Sequence, residues 1–382
     1  MSTTSAFSDA SEPIRISLDN DPGQLLAAVP HLMGFHPAES VVLIGHRPTE
    51  PSVIGWVLRG DLPPEEFVSE QAAEMVARLA LSDAFGLTLV VVGGGTERAG
   101  AEKALPHRSL VEALRTESDR RRLRVLHALW VPEVRANVRW SCYEQADCHG
   151  TVPDPASSAL AATLASSGRI TFDSREDLAE LLTPDSAEQL ARRSTGLDAA
   201  VDRLDGCDCS PVCDCGESGG SVAAPRPRSY DGARQGFESN CATVGRALVR
   251  LRAGSLQLSD PEIVRIAVAL SDVRVRDACL ALASPPGSSA ALTAENLWIA
   301  LTRATPCPER AEPAALLGYS AYLRGDGALA DIALRTALRA SPEHVLAGLL
   351  ERALRKGVTP DRLAGLGRAE TVVDLWQAGE HG

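Results

Sequence analysis

Apolar positions alternate between helical and strand spacing through the first half of the chain and keep to helical spacing in the last third. Residues 21–47, DPGQLLAAVPHLMGFHPAESVVLIGHR, carry both patterns in one unit. Asp21 is placed to cap a helix, with Pro22 at its first position and Gln24 completing a capping box. Leu25, Leu26, Val29, Leu32 and Met33 then share one face. Gly34 supplies the left-handed residue that ends a helix, Phe35 the apolar contact after it, and Pro37 blocks continuation. The unbroken apolar run at 41–44 predicts a strand covered on both faces.

Residues 14–18 predict a short first strand, and 53–58 another. The second follows 41–45 too closely for a crossover helix, so these two pair antiparallel. Residues 65–81 form an amphipathic helix with Phe67, Met75, Val76 and Leu79 inward. A second fully apolar strand, 87–92, closes on Gly93, Gly94 and Gly95. A charged helix at 110–123, a strand at 125–131 and helices at 156–167 and 175–182 follow. The expected fold is an α/β domain over residues 14–203, a mixed sheet flanked by helices, after a disordered polar tail at 1–13.

From 204 to 239, Gly, Ser, Pro and Cys replace all periodicity, the signature of a linker or insertion. Residues 240–378 read as an all-helical domain. Val244, Leu248 and Leu251 share a face, and Asp260-Pro261 opens a helix through Ile263, Ile266, Ala267 and Leu270. Between 313 and 356, Leu317-Gly318, Ala330, Ala337 and Pro342 have the spacing of a tetratricopeptide-like helical hairpin. A solenoid needs about three such units, and one is found, so the expectation is a hairpin packed within a small bundle. Arg324, Gly325 and Asp326 form its bend, Gly325 ending one helix and Asp326 capping the next.

The formal net charge of −12 argues against phosphate-driven nucleic-acid binding. The start is polar and acidic, with no basic and apolar leader, and no segment is apolar over the length of a bilayer. A soluble, cytoplasmic protein with no nucleic-acid or membrane partner is expected. In that compartment the nine cysteines are free thiols or metal ligands before they are disulfides.

Four stretches together resemble one family, a domain of unknown function common in high-GC Gram-positive bacteria. They are LLAAVPHLMGFHPAESVVLIG, the RWSCYEQADCHGTVPD region, SDVRVRDACLAL, and AYLRGDGALADIALRTALRASPEHVLAGLL. The resemblance spans most of the chain outside the tail and the cysteine-rich linker, and it implies no particular activity. The chain departs from the family's pattern after Trp140, where Cys142, Cys148 and His149 stand.

Candidate chemistry falls in four places. Cys207, Cys209, Cys213 and Cys215 form two Cys-x-Cys pairs, soft ligands that suit zinc as a structural clip; the alternative is a flexible insert with unligated thiols. Cys142, Cys148 and His149 make a second, smaller set at a strand end. Gly93, Gly94 and Gly95 follow a buried strand and can offer backbone N–H groups to an anion. Arg135 and Arg139 would join them if the neighbouring strands run parallel. His36 and Glu39 share the GFHPAES turn and can form an acid–base pair or satisfy a helix end. No P-loop, GxGxxG or nucleophile-elbow motif accompanies them. The leading expectation is therefore a non-catalytic regulatory or scaffolding protein that binds a protein partner through its helical half. The other is a small-molecule or nucleotide-binding enzyme with its site at the sheet edge near Gly93 to Gly95.

Overall fold

The computed structural model describes residues 3–6, 21–47, 54–82, 84–95, 105–158, 160–162, 170–205, 230–254 and 257–367. Among these residues a single sheet holds seven strands: β1 (Thr3–Ala6), β2 (Ser40–His46), β3 (Ile54–Asp61), β4 (Gly86–Val92), β5 (Arg124–Val131), β6 (Arg139–Cys142) and β7 (His149–Thr151). Their order is β1-β3-β2-β4-β5-β6-β7. Only β4 and β5 run parallel; every other neighbouring pair is antiparallel.

The two apolar runs lie side by side, Val41 opposite Val91 and Val42 opposite Val90. Strand alternation divides their side chains between two cores. Val41, Leu43, Leu87, Leu89 and Val91 face α2 (Val68–Leu79) and α3 (Arg108–Arg120). Val42, Ile44, Val90, Val92, Leu129 and Val131 face the other way, onto α1 (Pro22–Met33) and the helical half of the chain. That second core continues without a break into Leu297, Trp298, Leu317 and Leu334. One face of the sheet is therefore kept from water by α1 and by helices from the far end of the chain.

The unit at 21–47 forms the helix, stop and strand its pattern predicts, but without the capping box: Gln24 meets Asp21 only through its backbone N–H, which donates to the Asp21 carbonyl at 3.1 Å. The Asp21 side chain accepts from Gly23 N at 2.9 Å, and Gly34 ends α1 at φ 79°. Gly34 and His36 hydrogen-bond Phe172 on either side of an isolated parallel bridge between Phe35 and Phe172.

Short helix α4 (Arg175–Glu180) leads to α5 (Ala187–Asp205). The helical half follows as α6 (Tyr230–Arg252), α7 (Asp260–Leu270), α8 (Val273–Leu280), α9 (Ser289–Ala304), α10 (Ala311–Leu323), α11 (Gly327–Ala340), α12 (Val345–Arg355) and α13 (Pro360–Leu363). Among the described residues no strand follows β7. Helices α10 and α11 form the hairpin, and Gly318 lets them close: a Cβ there would lie 2.7 Å from Leu334 Cγ. At the bend Gly325 has φ 81°, and the Asp326 carboxylate accepts from Leu329 N at 3.0 Å.

The structure redraws several boundaries. Thr3–Ala6, assigned by composition to a disordered tail, is strand β1, paired with the outer side of β3. The strand expected at 14–18 lies outside the described residues. Strands β6 and β7 are too short to show a period in the sequence. The helix expected at 156–167 is a 3-10 turn at Pro155–Ser157 followed by helical residues 160–162, with 163–169 outside the described set. Helix α6 starts at Tyr230, inside the stretch assigned to the linker. Helix α5, counted with the α/β half, packs Leu197 on Val264 and Ala267 of α7. Its buried Arg193 ties Asp260, Asp185 and the Ala304 carbonyl together at 2.7, 2.7 and 2.9 Å.

Candidate functional site

Two places bring candidate side chains together: the sheet edge, and a cleft between the sheet side and the helical half. Because β4 and β5 are parallel, the loops after them share one edge. The residue before β2 reaches the same edge, since Ser40 lies opposite Val92. Glu39, at φ 42°, thus stands beside the glycines. Its carboxylate accepts from Gly94 N at 3.1 and 3.2 Å. Gly93 and Gly94 have φ 93° and 74°, the left-handed region that turns their backbone toward Glu39. His36 donates from Nδ1 to the Val134 carbonyl at 3.2 Å, and Trp130 Nε1 donates to the Gly93 carbonyl at 2.9 Å.

The turn motif and the glycine loop are therefore one cluster, and the anion on Gly94 is the protein's own Glu39. An incoming phosphate would have to displace that carboxylate. Arg135 is exposed and pairs with Glu133 at 3.5 Å, and Arg139 is exposed at the start of β6.

Cys207, Cys209, Cys213 and Cys215 lie outside the described residues. Among the described residues no group of three or more His, Cys, Asp or Glu has metal-ligand geometry. Cys142, the last residue of β6, and Cys148, just before β7, are free thiols, Cys142 N donating to the Cys148 carbonyl at 2.9 Å. His149 is exposed in β7, opposite Ser141. Burial, together with the adjoining Cys142, pushes the Cys148 thiol above its ordinary pKa.

The cleft has a volume of about 320 Å³. Leu178 and Leu181 from α4 and its C-terminal end, Leu292 and Ile299 from α9, and Phe172 give it apolar walls. Glu295, Arg324 and Asp326 form its polar floor, with His31 at the side. Glu295 and Asp326 are 5% and 9% exposed. Arg324 donates from Nε to one Glu295 oxygen at 3.1 Å, pairs through Nη2 with the other at 3.1 Å, and reaches Asp326 at 3.3 Å. Burial by itself would lower the Arg324 pKa, but the two carboxylates outweigh it and hold the guanidinium above its ordinary value.

His31 lies between Thr171 Oγ1 and the Pro155 carbonyl, 2.8 Å from each. A carbonyl only accepts, so Nε2 carries a proton; in the neutral ring Nδ1 then accepts from the Thr171 hydroxyl. That arrangement fixes the α1 wall of the cleft against the segment leading into α4. Arg175 of α4 pairs with Asp331 of α11 at 2.6 Å, closing the same seam between the halves.

None of the cleft's polar groups stands out from sequence alone as a ligand set. One signal was present: Glu295 occupies the buried stripe of α9 with Ala291, Ala294, Trp298 and Leu301, a carboxylate where the period asks for an apolar residue. Among the described residues no helix is long and apolar enough to cross a membrane.

The family described as a domain of unknown function (DUF4192) matches residues 22–361. That span takes in the sheet edge, the cleft and the α10–α11 hairpin. No curated protein and no solved structure matches the chain.

Proposed function

We propose that the chain, which belongs to the DUF4192 family, is a non-catalytic regulatory protein that binds a small organic molecule in the cleft between its sheet side and its helical half. One observation carries this reading: apolar walls from both halves converge on a buried floor of two carboxylates and one guanidinium. A concave, mostly apolar site with a few fixed polar groups is the usual form of a small-molecule site, and the volume lies at the small end of that class. The floor joins two carboxylates to a guanidinium, and carboxylate acceptors suit a ligand with an amine or guanidine group beside an apolar body. A ligand held by α1, α4, α9 and the α10–α11 bend would couple the packing of the two halves, as a regulatory protein requires.

The test is a thermal-shift panel of primary amines, amino acids and nucleotides on the full chain and on Leu292→Trp. Leu292 is half-buried at the cleft wall, so a larger ring fills the cleft without entering the core. The reading expects an amine-bearing compound to raise the Tm of the natural chain and to leave that of the variant unchanged. Nucleotides raising both equally would move the site to the sheet edge.

A second reading, a protein partner on the helical half, draws on α12. Val345 and Leu349 lie four residues apart on one face and are 74% and 53% exposed, while Ala347, Leu350 and Leu354 fill the inner face. The tetratricopeptide-like spacing of the α10–α11 hairpin supports the same reading, as one hairpin within a bundle rather than part of an array. Val345→Asp with Leu349→Asp should leave stability unchanged and abolish a partner's co-purification. Retention of that partner would count against it.

A further inference from the structure

The β6–β7 hairpin sets two cysteines directly across from each other. Its register pairs Arg139 with Thr151, Trp140 with Gly150 and Ser141 with His149. The next step brings Cys142 opposite Cys148, and the hydrogen bond from Cys142 N to the Cys148 carbonyl continues the ladder. Residues opposed in this way have Cα atoms about 5.5 Å apart and send their side chains to the same face. A disulfide spans Cα separations of about 4.4–6.8 Å. The two thiols differ in access: Cys142 is 7% exposed, whereas Cys148 is half-buried beside the turn. A backbone N–H from Glu144 points at Cys142 Sγ, 3.4 Å away.

We propose that Cys142 and Cys148 form a reversible two-electron redox site, closed to a disulfide by a hydroperoxide and reopened by a thiol reductant. Cys148, the more accessible of the two, attacks the peroxide oxygen as its thiolate; its raised pKa keeps that form scarce at neutral pH, so closure quickens as pH rises. An S–O bond forms, the O–O bond breaks, and the departing hydroxide is protonated to water, leaving Cys148 as the sulfenic acid. The Cys142 thiolate then attacks that sulfur; the S–S bond forms, the S–O bond breaks, and a second water leaves. In sum two thiols lose two electrons and two protons, and one hydrogen peroxide becomes two waters. The bond staples β6 to β7 at the rim of the sheet, beside Trp140 and Val152 of the shared core.

The chain itself supplies a clean readout. No Lys or Arg lies between Trp140 and Gly168, so trypsin releases both cysteines on one peptide ending at Arg169, with no other cysteine on it. The full chain is treated with hydrogen peroxide, quenched with iodoacetamide, digested and weighed. The expected product is this peptide without alkylation and two hydrogens lighter, returning to the doubly alkylated form after dithiothreitol. Cys148→Ser should leave Cys142 alkylated. Cys142→Ser should leave a Cys148 sulfenic acid that dimedone traps. Buried Cys241 and Cys279 should stay reduced throughout. A peptide that remains doubly alkylated while the exposed Cys307 is oxidised overturns the proposal. So does a cross-link from Cys148 to any cysteine other than Cys142.

Discussion

Replacing Glu295 by Ala tests how the floor of the cleft holds together. The change removes both oxygens that bind Arg324 at 3.1 Å and leaves the guanidinium with Asp326 at 3.3 Å as its remaining carboxylate contact. The Glu295 and Arg324 side chains are 7% and 12% exposed, so water does little to make good the loss. Breaking a buried ion pair from one side costs about 3–5 kcal/mol, and the surviving Asp326 contact places this case near the lower end, about 3 kcal/mol. Glu295→Gln keeps the shape and one acceptor, so about 1–2 kcal/mol is expected from the loss of charge assistance. The double variant Glu295→Leu with Arg324→Met replaces that pair by apolar groups of similar volume but leaves buried Asp326 without its guanidinium, so it should recover only part of the loss. Urea denaturation followed by circular dichroism gives the three midpoints, with the slope held constant as the check that only stability changed. A Glu295→Ala variant within about 0.5 kcal/mol of the natural chain, the range of an ordinary surface change, would refute the account. So would a double variant no more stable than Glu295→Ala.

Three further outcomes follow from the geometry. Gly318→Ala puts a Cβ 2.7 Å from Leu334 in the fully buried α10–α11 contact. Overpacking of about 1–3 kcal/mol should exceed the gain in helix propensity, which is at most about 1 kcal/mol, and lower the urea midpoint. Gly93→Ala sets a side chain at φ 93°, 2.5 Å from Glu39 Oε1 and 3.0 Å from Glu39 N; a loss of about 1–3 kcal/mol is expected, with the glycine loop deprotected in hydrogen exchange. Hydrogen bonds from Arg193, aided by Arg192, hold the Asp260 carboxyl below its ordinary pKa, so the stability it lends is complete at neutral pH and is lost as pH falls below about 4 toward the lowered folded value. Acid titration of Asp260→Asn should show a shallower fall across that window, and an unchanged slope would contradict the assignment.

What the sequence disclosed and what it hid divide along contact distance. The α1–β2 unit was legible because each part is local: the Asp21 cap, the Gly34 stop and the apolar run at 41–44 lie within a few turns of chain. The mixed sheet followed, since 41–44 and 87–92 could be buried on both faces only inside it. The glycine loop was read as offering backbone N–H groups to a bound anion beside Arg135 and Arg139; the carboxylate that Gly94 N meets is Glu39, which that reading did not name. Glu39 reaches Gly94 only because β2 runs antiparallel to β4, a pairing that the residue spacing leaves open. The cleft was hidden for the same reason. His31, Thr171, Glu295 and Arg324 come from four separate stretches and meet only after the helical half has closed over the sheet. Composition misled at Tyr230, where a polar, glycine-bearing segment is nonetheless the first turn of α6. Strand β1 carries too little apolar character to be read as a strand at all.

The most direct trial of the central claim is a crystal structure of the full chain with whichever amine raises its Tm. The account predicts ligand density between α4 and α9, with the cationic group within hydrogen-bonding distance of the Glu295 or Asp326 carboxylate. Density instead at Gly93 to Gly95, with Glu39 displaced from Gly94, would contradict it.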